Sequence, residues 1–224
     1  MTPALHTVAL VLVAGAGRRL GHVPKCLIRL SGQTLLQRLL DALATLGIRD
    51  VRLVLGHHAD AVAAHVSTLP AGQRALLLRN PAPGDEPADS LQWGLRSLTS
   101  MPERLLVLLG DQPLLGAPQI DAALRAFEQR ERGRHALVPQ VDGRPGHPAV
   151  LDGLACAQLR NHAGGLRAWR RERPEAVALW NTPDPAHTFD LDTPLDLDRL
   201  AQTTGLAVAL PPNAPMPQCG MHNG

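Results

Sequence analysis

The sequence predicts an α/β fold: a doubly wound, mostly parallel central sheet buried under helices on both faces. Three observations carry this. Val8-Ala9-Leu10-Val11-Leu12-Val13 and Leu105 to Leu109 are continuous β-prone runs ending abruptly at glycine or alanine-glycine, the pattern of strands covered on both faces. Between such runs, apolar residues recur at helical spacing, and strands alternating with helices imply a parallel sheet. Hydrophobic residues make up 45% of the chain but aromatics only 2%, with no tyrosine, so the core must be aliphatic.

Taken in order, Val8 to Val13 is the first strand and a glycine-rich basic loop comes after it. Leu27-Ile28-Arg29-Leu30 and the turn Ser31-Gly32 lead into a helix from Thr34 to Leu46, with Leu35, Leu36, Leu39, Leu40 and Leu43 on one face and Gly47 as its stop. Val51 to Leu55 is a second strand, Asp60 to Leu69 a second helix, and Ala75 to Leu78 a third strand before the loop Asn80 to Asp85. A helix over Asp89 to Leu98 precedes the strand Leu105 to Leu109, which ends at Gly110-Asp111-Gln112-Pro113. Pro118 sits in the first turn of a helix running to Arg132. His135 to Gln140 and His147 to Leu151 read as two strands joined by the turn Asp142 to Gly146. A helix around Leu166 to Arg173, a strand Val177 to Trp180, a short strand Thr188 to Leu191 and a helix from Pro194 complete the pattern. Residues 1–204 read as one domain and 205–224 as a loosely ordered tail, with four prolines from Pro211 onward.

Composition also excludes functions. A net charge of +2, with both signs interspersed, gives no basic face for a nucleic-acid partner. Cys26, Cys156 and Cys219 are an odd count without CxxC spacing, which argues against a disulfide framework or a cysteine zinc site and suits a reducing compartment. The first apolar run is too short to span a membrane and lacks the charged start of a signal peptide, so a cytoplasmic protein is expected.

Three segments fall at strand ends, where open α/β sheets bind ligands. The first is Ala14-Gly15-Ala16-Gly17-Arg18-Arg19-Leu20-Gly21, with Lys25 just beyond it. Its glycines let backbone N–H groups approach phosphate oxygens, and its basic side chains can neutralise a triphosphate. It is not a dinucleotide fingerprint: Leu20 stands where glycine is needed, and the second strand ends in Leu55-Gly56-His57 without an acidic residue. Nor is it a Walker loop, since Lys25 is flanked by Pro24 and Cys26. The other two segments carry Asp111 and Asp192, carboxylates of the kind that hold Mg²⁺ on a triphosphate. Asp192 could instead cap the helix at Pro194, and Asp111 the turn after its strand.

Leu12 to Gly21 with Lys25 resembles the opening LAAGxSxRMGxxK of the nucleotidyltransferases with a GT-A-like fold. Gly110 to Leu114, Gly146-His147-Pro148 and Asp190 to Leu197 resemble, in this order, the ADQPL, PGHP and DIDTPxDL segments of the molybdenum cofactor cytidylyltransferase branch. Asn80 and Ser90 to Leu95 are similar to its NxxxxxGxSSSLxxGL. Val13, Ala16-Gly17 and Ala88-Asp89 depart from the usual residues. The resemblance implies that Ala14 to Arg19 and Lys25 bind the nucleotide, with Gly15, Gly17, Arg19 and Lys25 on its triphosphate. It implies catalysis by Lys25, Arg19 and Asp111, and Mg²⁺ on Asp111 and Asp192. Asn80 and Ser90 would lie near ribose or base, and Gln112 and His147 near the acceptor. The substrates implied are an NTP and molybdenum cofactor, with a molybdoenzyme or its chaperone receiving the product. Ala14, where guanylyl-transferring relatives tend to have glycine, favours CTP; GTP, or a sugar or polyol phosphate acceptor, are the alternatives, and a non-catalytic nucleotide binder a remote one.

His57-His58 with Asp60 and His65 reads as a solvated helix face rather than a metal cluster, and Trp169 to Arg173 as a charged exposed helix. Cys26 is expected to be a buried small residue and Trp93 to pack in the core.

Overall fold

The computed structural model describes residues 6–70, 75–84, 87–162 and 164–212. Asp85 of the predicted loop and the tail from residue 213, with Cys219, lie outside the described residues.

The central strand is β1 (Thr7–Val13), hydrogen-bonded in parallel to β4 (Asp50–Leu55) on one side and β6 (Arg104–Leu109) on the other. The sheet extends through β5 (Leu76–Arg79) beyond β4. Beyond β6 come β9 (Ala149–Leu151), β7 (Ala136–Val141) and β10 (Val177–Asn181). β9 runs antiparallel to both neighbours, and β8 (Arg144–Pro145) forms a short hairpin with β7, so the sheet is mixed but mostly parallel.

Successive residues of β1 enter opposite cores, as the two-residue side-chain period requires. Ala9, Val11 and Val13 face one core with α1 (Leu35–Thr45), α2 (Ala59–Val66) and α4 (Ala117–Glu128). Val8, Leu10 and Leu12 face the other with α3 (Pro87–Arg96), α5 (Gly153–Leu159) and α6 (Gly165–Glu172). This two-sided burial explains why the strands lack an alternating polar face.

A third cluster matters more for function. Leu20, Val23, Ile28 and Leu30 after β1 pack against Leu191 and Leu200, the latter in α7 (Pro194–Thr204). A second small sheet joins the same regions: β11 (Val208–Ala209) pairs with β2 (Arg29–Leu30), which pairs with β3 (Gln33–Thr34). Early and late segments of the chain are thereby fixed together, and the chain is still paired at Val208–Ala209, within the stretch read as a tail.

Several expectations need correcting. Thr188 to Leu191 joins no ladder, and Thr188 closes a 3₁₀ turn that starts at Pro185; Leu191 N–H instead donates to the Asp111 carbonyl at 3.1 Å. The helix expected to reach Arg132 stops at Glu128, because the Arg130 guanidinium turns back to the Phe127 carbonyl and covers the Phe127 ring. Trp93 is 37% exposed and outside the core. Helix α5 is additional to the predicted elements; Asp152 nucleates it by accepting from the N–H groups of Leu154 and Ala155.

Candidate active site

From β1 the chain passes through β4 and β5, then returns to β6 on the other side of β1. The carboxyl ends of β1 and β6 therefore open a crevice at a topological switch point, where such sheets bind ligands. The loop after β1 forms one lip. Gly17 is left-handed there (φ 62°), and its carbonyl accepts from Leu20 and His22 N–H, both at 3.0 Å. A Cβ at Gly17 would lie 1.9 Å from the Val23 carbonyl oxygen, so the turn itself requires glycine. Gly15 differs: a Cβ there meets nothing within 4 Å. Packing does not demand that glycine; the space before it stays open to a ligand. His57 N–H and His58 Nε2 hold the loop from behind, donating to the Ala14 and Ala16 carbonyls at 3.3 and 3.1 Å.

Lys25 lies in a single helical turn, Lys25–Leu27, and points back into the crevice. Its Nζ donates to Asp111 Oδ2 at 2.6 Å and to Asp192 Oδ1 at 2.7 Å. Asp111 lies just after β6 and Asp192 just before α7, so three segments distant in sequence converge on one ammonium. The capping role open to Asp192 belongs to Asp196, whose carboxylate accepts from the N–H groups of Asp192 and Thr193 and from the Thr193 hydroxyl. That leaves the Asp192 side chain free to meet Lys25. Likewise Asp111 turns its carboxylate to Lys25.

The electrostatics reflect this crowding. Burial alone would lower the Lys25 pKa, but Asp111 beside it and hydrogen bonds to both carboxylates outweigh that and hold it above its ordinary value. Lys25 is therefore a permanent cation. Asp190 is a site residue that the sequence does not single out. It lines the crevice two residues from Asp192, and burial, then the charge of Asp111, pushes its carboxyl up to about 6 despite the Gln112 hydrogen bond. The alternation of half-buried Asp190, buried Leu191 and half-buried Asp192 is the available signal for two carboxylates on one side. Cys26 is buried as expected, its thiol pushed up to about 12 by burial and by Asp111, so it is no nucleophile.

Two cavities adjoin here, sharing Leu12 and Pro87 as walls. The smaller, about 300 Å³, is lined by Gly15, Lys25, Ser90, Asp111, Asp190 and Asp192 among others. The larger, about 900 Å³, is cut into the α3–α6 face and holds His147. His147 Nδ1 donates to the Val107 carbonyl at 3.3 Å, and burial lowers its pKa, so it stays neutral with Nε2 as a proton acceptor.

The predicted residues divide accordingly. Ala14, Gly15, Lys25, Ser90, Asp111 and Asp192 meet in the smaller cavity. Arg19 stands at its rim, exposed and 3.7 Å from Asp192, and Arg18 is exposed outside it. Ala16 and Gly17 support the loop. Asn80 is buried beyond the lining, its Oδ1 accepting from Ala82 N–H. Gln112 reaches neither cavity; its amide donates to Asp190 Oδ1 at 2.9 Å and to the His187 carbonyl at 3.2 Å. The histidine group disperses: His65 meets the Thr34 hydroxyl, Asp60 meets Arg79, and His58 serves the phosphate loop.

Convergence of Asp111 and Asp192 on one cation shows that both carboxylates can reach a shared point, as a divalent ion requires. Among the described residues no group of three or more His, Cys, Asp or Glu forms a metal cluster. A two-carboxylate site completed by phosphate and water is nonetheless the arrangement Mg²⁺ prefers.

Residues 9–177 match the family model of the MobA-like NTP transferase domain. The chain belongs to this family, one of NTP-dependent nucleotidyltransferases. Nicotine blue oxidoreductase of Paenarthrobacter nicotinovorans is 30% identical over 197 residues, covering 85% of this chain and 94% of that protein. Rv0371c from Mycobacterium tuberculosis H37Rv superposes with a TM-score of 0.71 at 24% identity, over 89% and 99% of the two chains. A second structure of that protein is a complex with manganese. Molybdopterin-guanine dinucleotide biosynthesis protein A from Archaeoglobus fulgidus superposes with a TM-score of 0.61 at 20% identity, over 88% and 98%. These likenesses establish the α/β nucleotidyltransferase fold. Among the described residues no helix is long and apolar enough to cross a membrane.

Proposed function

We propose that this protein transfers a nucleoside monophosphate from an NTP, with CTP preferred, to the terminal phosphate of molybdenum cofactor, releasing pyrophosphate. The observation that carries the reading is Lys25 held between Asp111 and Asp192 in a cavity beneath a glycine loop, at the switch point of the sheet. The MobA-like family and the ordered motifs through Gly146-His147-Pro148 support the acceptor.

An acceptor phosphate oxygen bonds to the α-phosphorus as the bond to the β-bridging oxygen breaks, and pyrophosphate leaves with the electron pair. A phosphate monoester, with a second pKa of about 6, is already largely a dianion at neutral pH, so no general base is required. The chain contributes alignment and charge. Backbone N–H groups around Gly15 donate to phosphate oxygens brought close, while Lys25 and Arg19 offset charge accumulating on the leaving group. Asp111 and Asp192 would hold Mg²⁺, which supplies further neutralisation of the phosphates when bound. Ser90 and Asn80 belong to the ribose or base side, and His147 to the acceptor side. Gln112 acts one step back, by fixing Asp190.

Similarity to nicotine blue oxidoreductase over nearly all of that protein favours a second reading, oxidoreduction of a substrate such as nicotine blue in the larger cavity. The phosphate loop lacks the glycine pattern of a dinucleotide site, which weighs against it.

Pyrophosphate release from CTP, Mg²⁺ and molybdenum cofactor tests both. Lys25→Ala and Asp111→Ala should each lose about 100-fold or more in turnover, by analogy with the loss of one transition-state donor, with circular dichroism unchanged. Near-normal release by both variants ends the proposal. Reduction of nicotine blue by the wild type, coupled to oxidation of an added nicotinamide dinucleotide and without pyrophosphate release, would install the second reading.

A further inference from the structure

Helix α6 carries Arg167 and Arg170, three residues apart and so on one face. Both line the larger cavity, and neither lines the smaller one with Lys25 and the carboxylates. The sequence reads Trp169 to Arg173 as a charged exposed helix; Trp169 is instead buried and Arg170 half-buried, while Arg167 is exposed at the cavity's edge. Trp169 is buried between them in sequence, its Nε1 donating to Gln158 at 3.1 Å, which fixes the helix's rotation. Gly165 lets the start of α6 close onto α3: a Cβ there would lie 2.8 Å from Ala88 Cβ and 2.9 Å from its Cα. The arginines are thus held against the cavity.

Elsewhere in the fold, arginines half-buried as Arg170 is find acceptors: Arg52 has Asp50 and Arg130 has Asp152. Arg167 and Arg170 form no ion pair with any described residue. They face each other's charge instead, and burial, then repulsion from Arg167, depresses Arg170. The cavity wall is largely apolar, with Leu12, Val107, Val138 and Leu166, and its one carboxylate, Asp89, pairs with neither arginine; two guanidiniums on such a wall favour an anion carried on an apolar body. His147 lines the same cavity as the two arginines.

We infer that Arg167 and Arg170 form an anion-recognition edge of the acceptor site, selecting a flat heterocycle that bears an anionic group additional to the phosphate that attacks. This rests on the acceptor reading for the choice of heterocycle, but its readout does not require group transfer.

The probes are two fluorescent pterins, pterin-6-carboxylate and the uncharged 6-methylpterin, titrated into the full chain. Wild type should bind the carboxylate at least tenfold more tightly. Arg167→Leu/Arg170→Leu should reduce that preference to within twofold, and Arg167→Lys/Arg170→Lys should retain part of it. Thermal melts establish that the variants are folded. Equal binding of both probes by wild type, no binding of either, or a preserved tenfold preference in the leucine variant overturns the inference. A preference lost with the arginines sustains it even if pyrophosphate release fails, so the two proposals fail separately.

Discussion

At Asp190 the chain buries a carboxylate beside Asp111 and Asp192, with Gln112 as its hydrogen-bond donor. Ionising it therefore costs the folded state more than the unfolded chain, and its pKa rises from 3.8 to about 6. Between those values the native state holds the proton more firmly, so stability falls as pH rises through the window and the loss is complete above about 6. Asn at this position still accepts from Gln112 but cannot ionise. Asp190→Asn should melt higher than wild type at pH 7.5 with a chelator present, and the gain should vanish towards pH 4. A gain of equal size at both ends would mean that the substitution acts through packing, not charge.

The phosphate loop poses the corresponding question for an element, because Gly15 and Gly17 have different reasons to be there. Gly17 answers to the fold: a left-handed residue with a side chain costs roughly 1–2 kcal/mol before the collision with Val23 is counted. Gly15 answers to space. Gly17→Ala should destabilise the protein by about 2 kcal/mol or more, whereas Gly15→Ala should stay within about 0.5 kcal/mol of wild type and weaken CTP binding about tenfold. Calorimetry of unfolding and of binding separates them; an unaffected nucleotide affinity in Gly15→Ala would remove the loop from the phosphates. This distinction is not legible in the sequence, where both glycines look alike. The legible features have a common cause. β1 and β6 are buried on both faces beyond their first residues, so they announce themselves as apolar runs, and β4 does so but for Asp50 and Arg52. In this topology the residues just beyond β1 and β6 fall at the crevice: Gly15, Lys25 and Asp111. Asp192 is legible as a carboxylate before a proline-started helix, although only the Asp196 cap shows that it is free to meet Lys25. The hidden features depend on long-range placement. Asp190 acquires its character from burial and from the charge of Asp111, which lies far from it in sequence. The direction of Arg167 and Arg170 depends on how α6 seats on α3. Helix α5, of seven residues, is too short to show a period.

For the whole molecule, the site is where early and late segments of the chain are tied. The loop after β1 and the start of α7 share one apolar cluster, and Lys25 bridges from one to the other through Asp192. A nucleotide with its cation placed between Gly15, Lys25, Asp111 and Asp192 would add a second tie at the same point. It would therefore stabilise the fold by mass action, not merely occupy a surface. At a hundredfold excess over Kd that linkage is worth roughly 2.7 kcal/mol, or roughly 5–11 °C in Tm for a chain of this size. CTP with Mg²⁺ should produce a shift of that order, CTP without Mg²⁺ a much smaller one, and GTP or ATP with Mg²⁺ less than CTP at equal concentration. Asp192→Ala should erase most of the magnesium-dependent part, because it cuts the tie on the α7 side while leaving the loop and Asp111 in place. Equal shifts for all three nucleotides would leave the phosphate grip intact but remove the case for cytidine. Equal shifts with and without Mg²⁺ would show that Lys25 and the loop hold the nucleotide unaided, and that the two carboxylates serve chiefly to keep Lys25 in position.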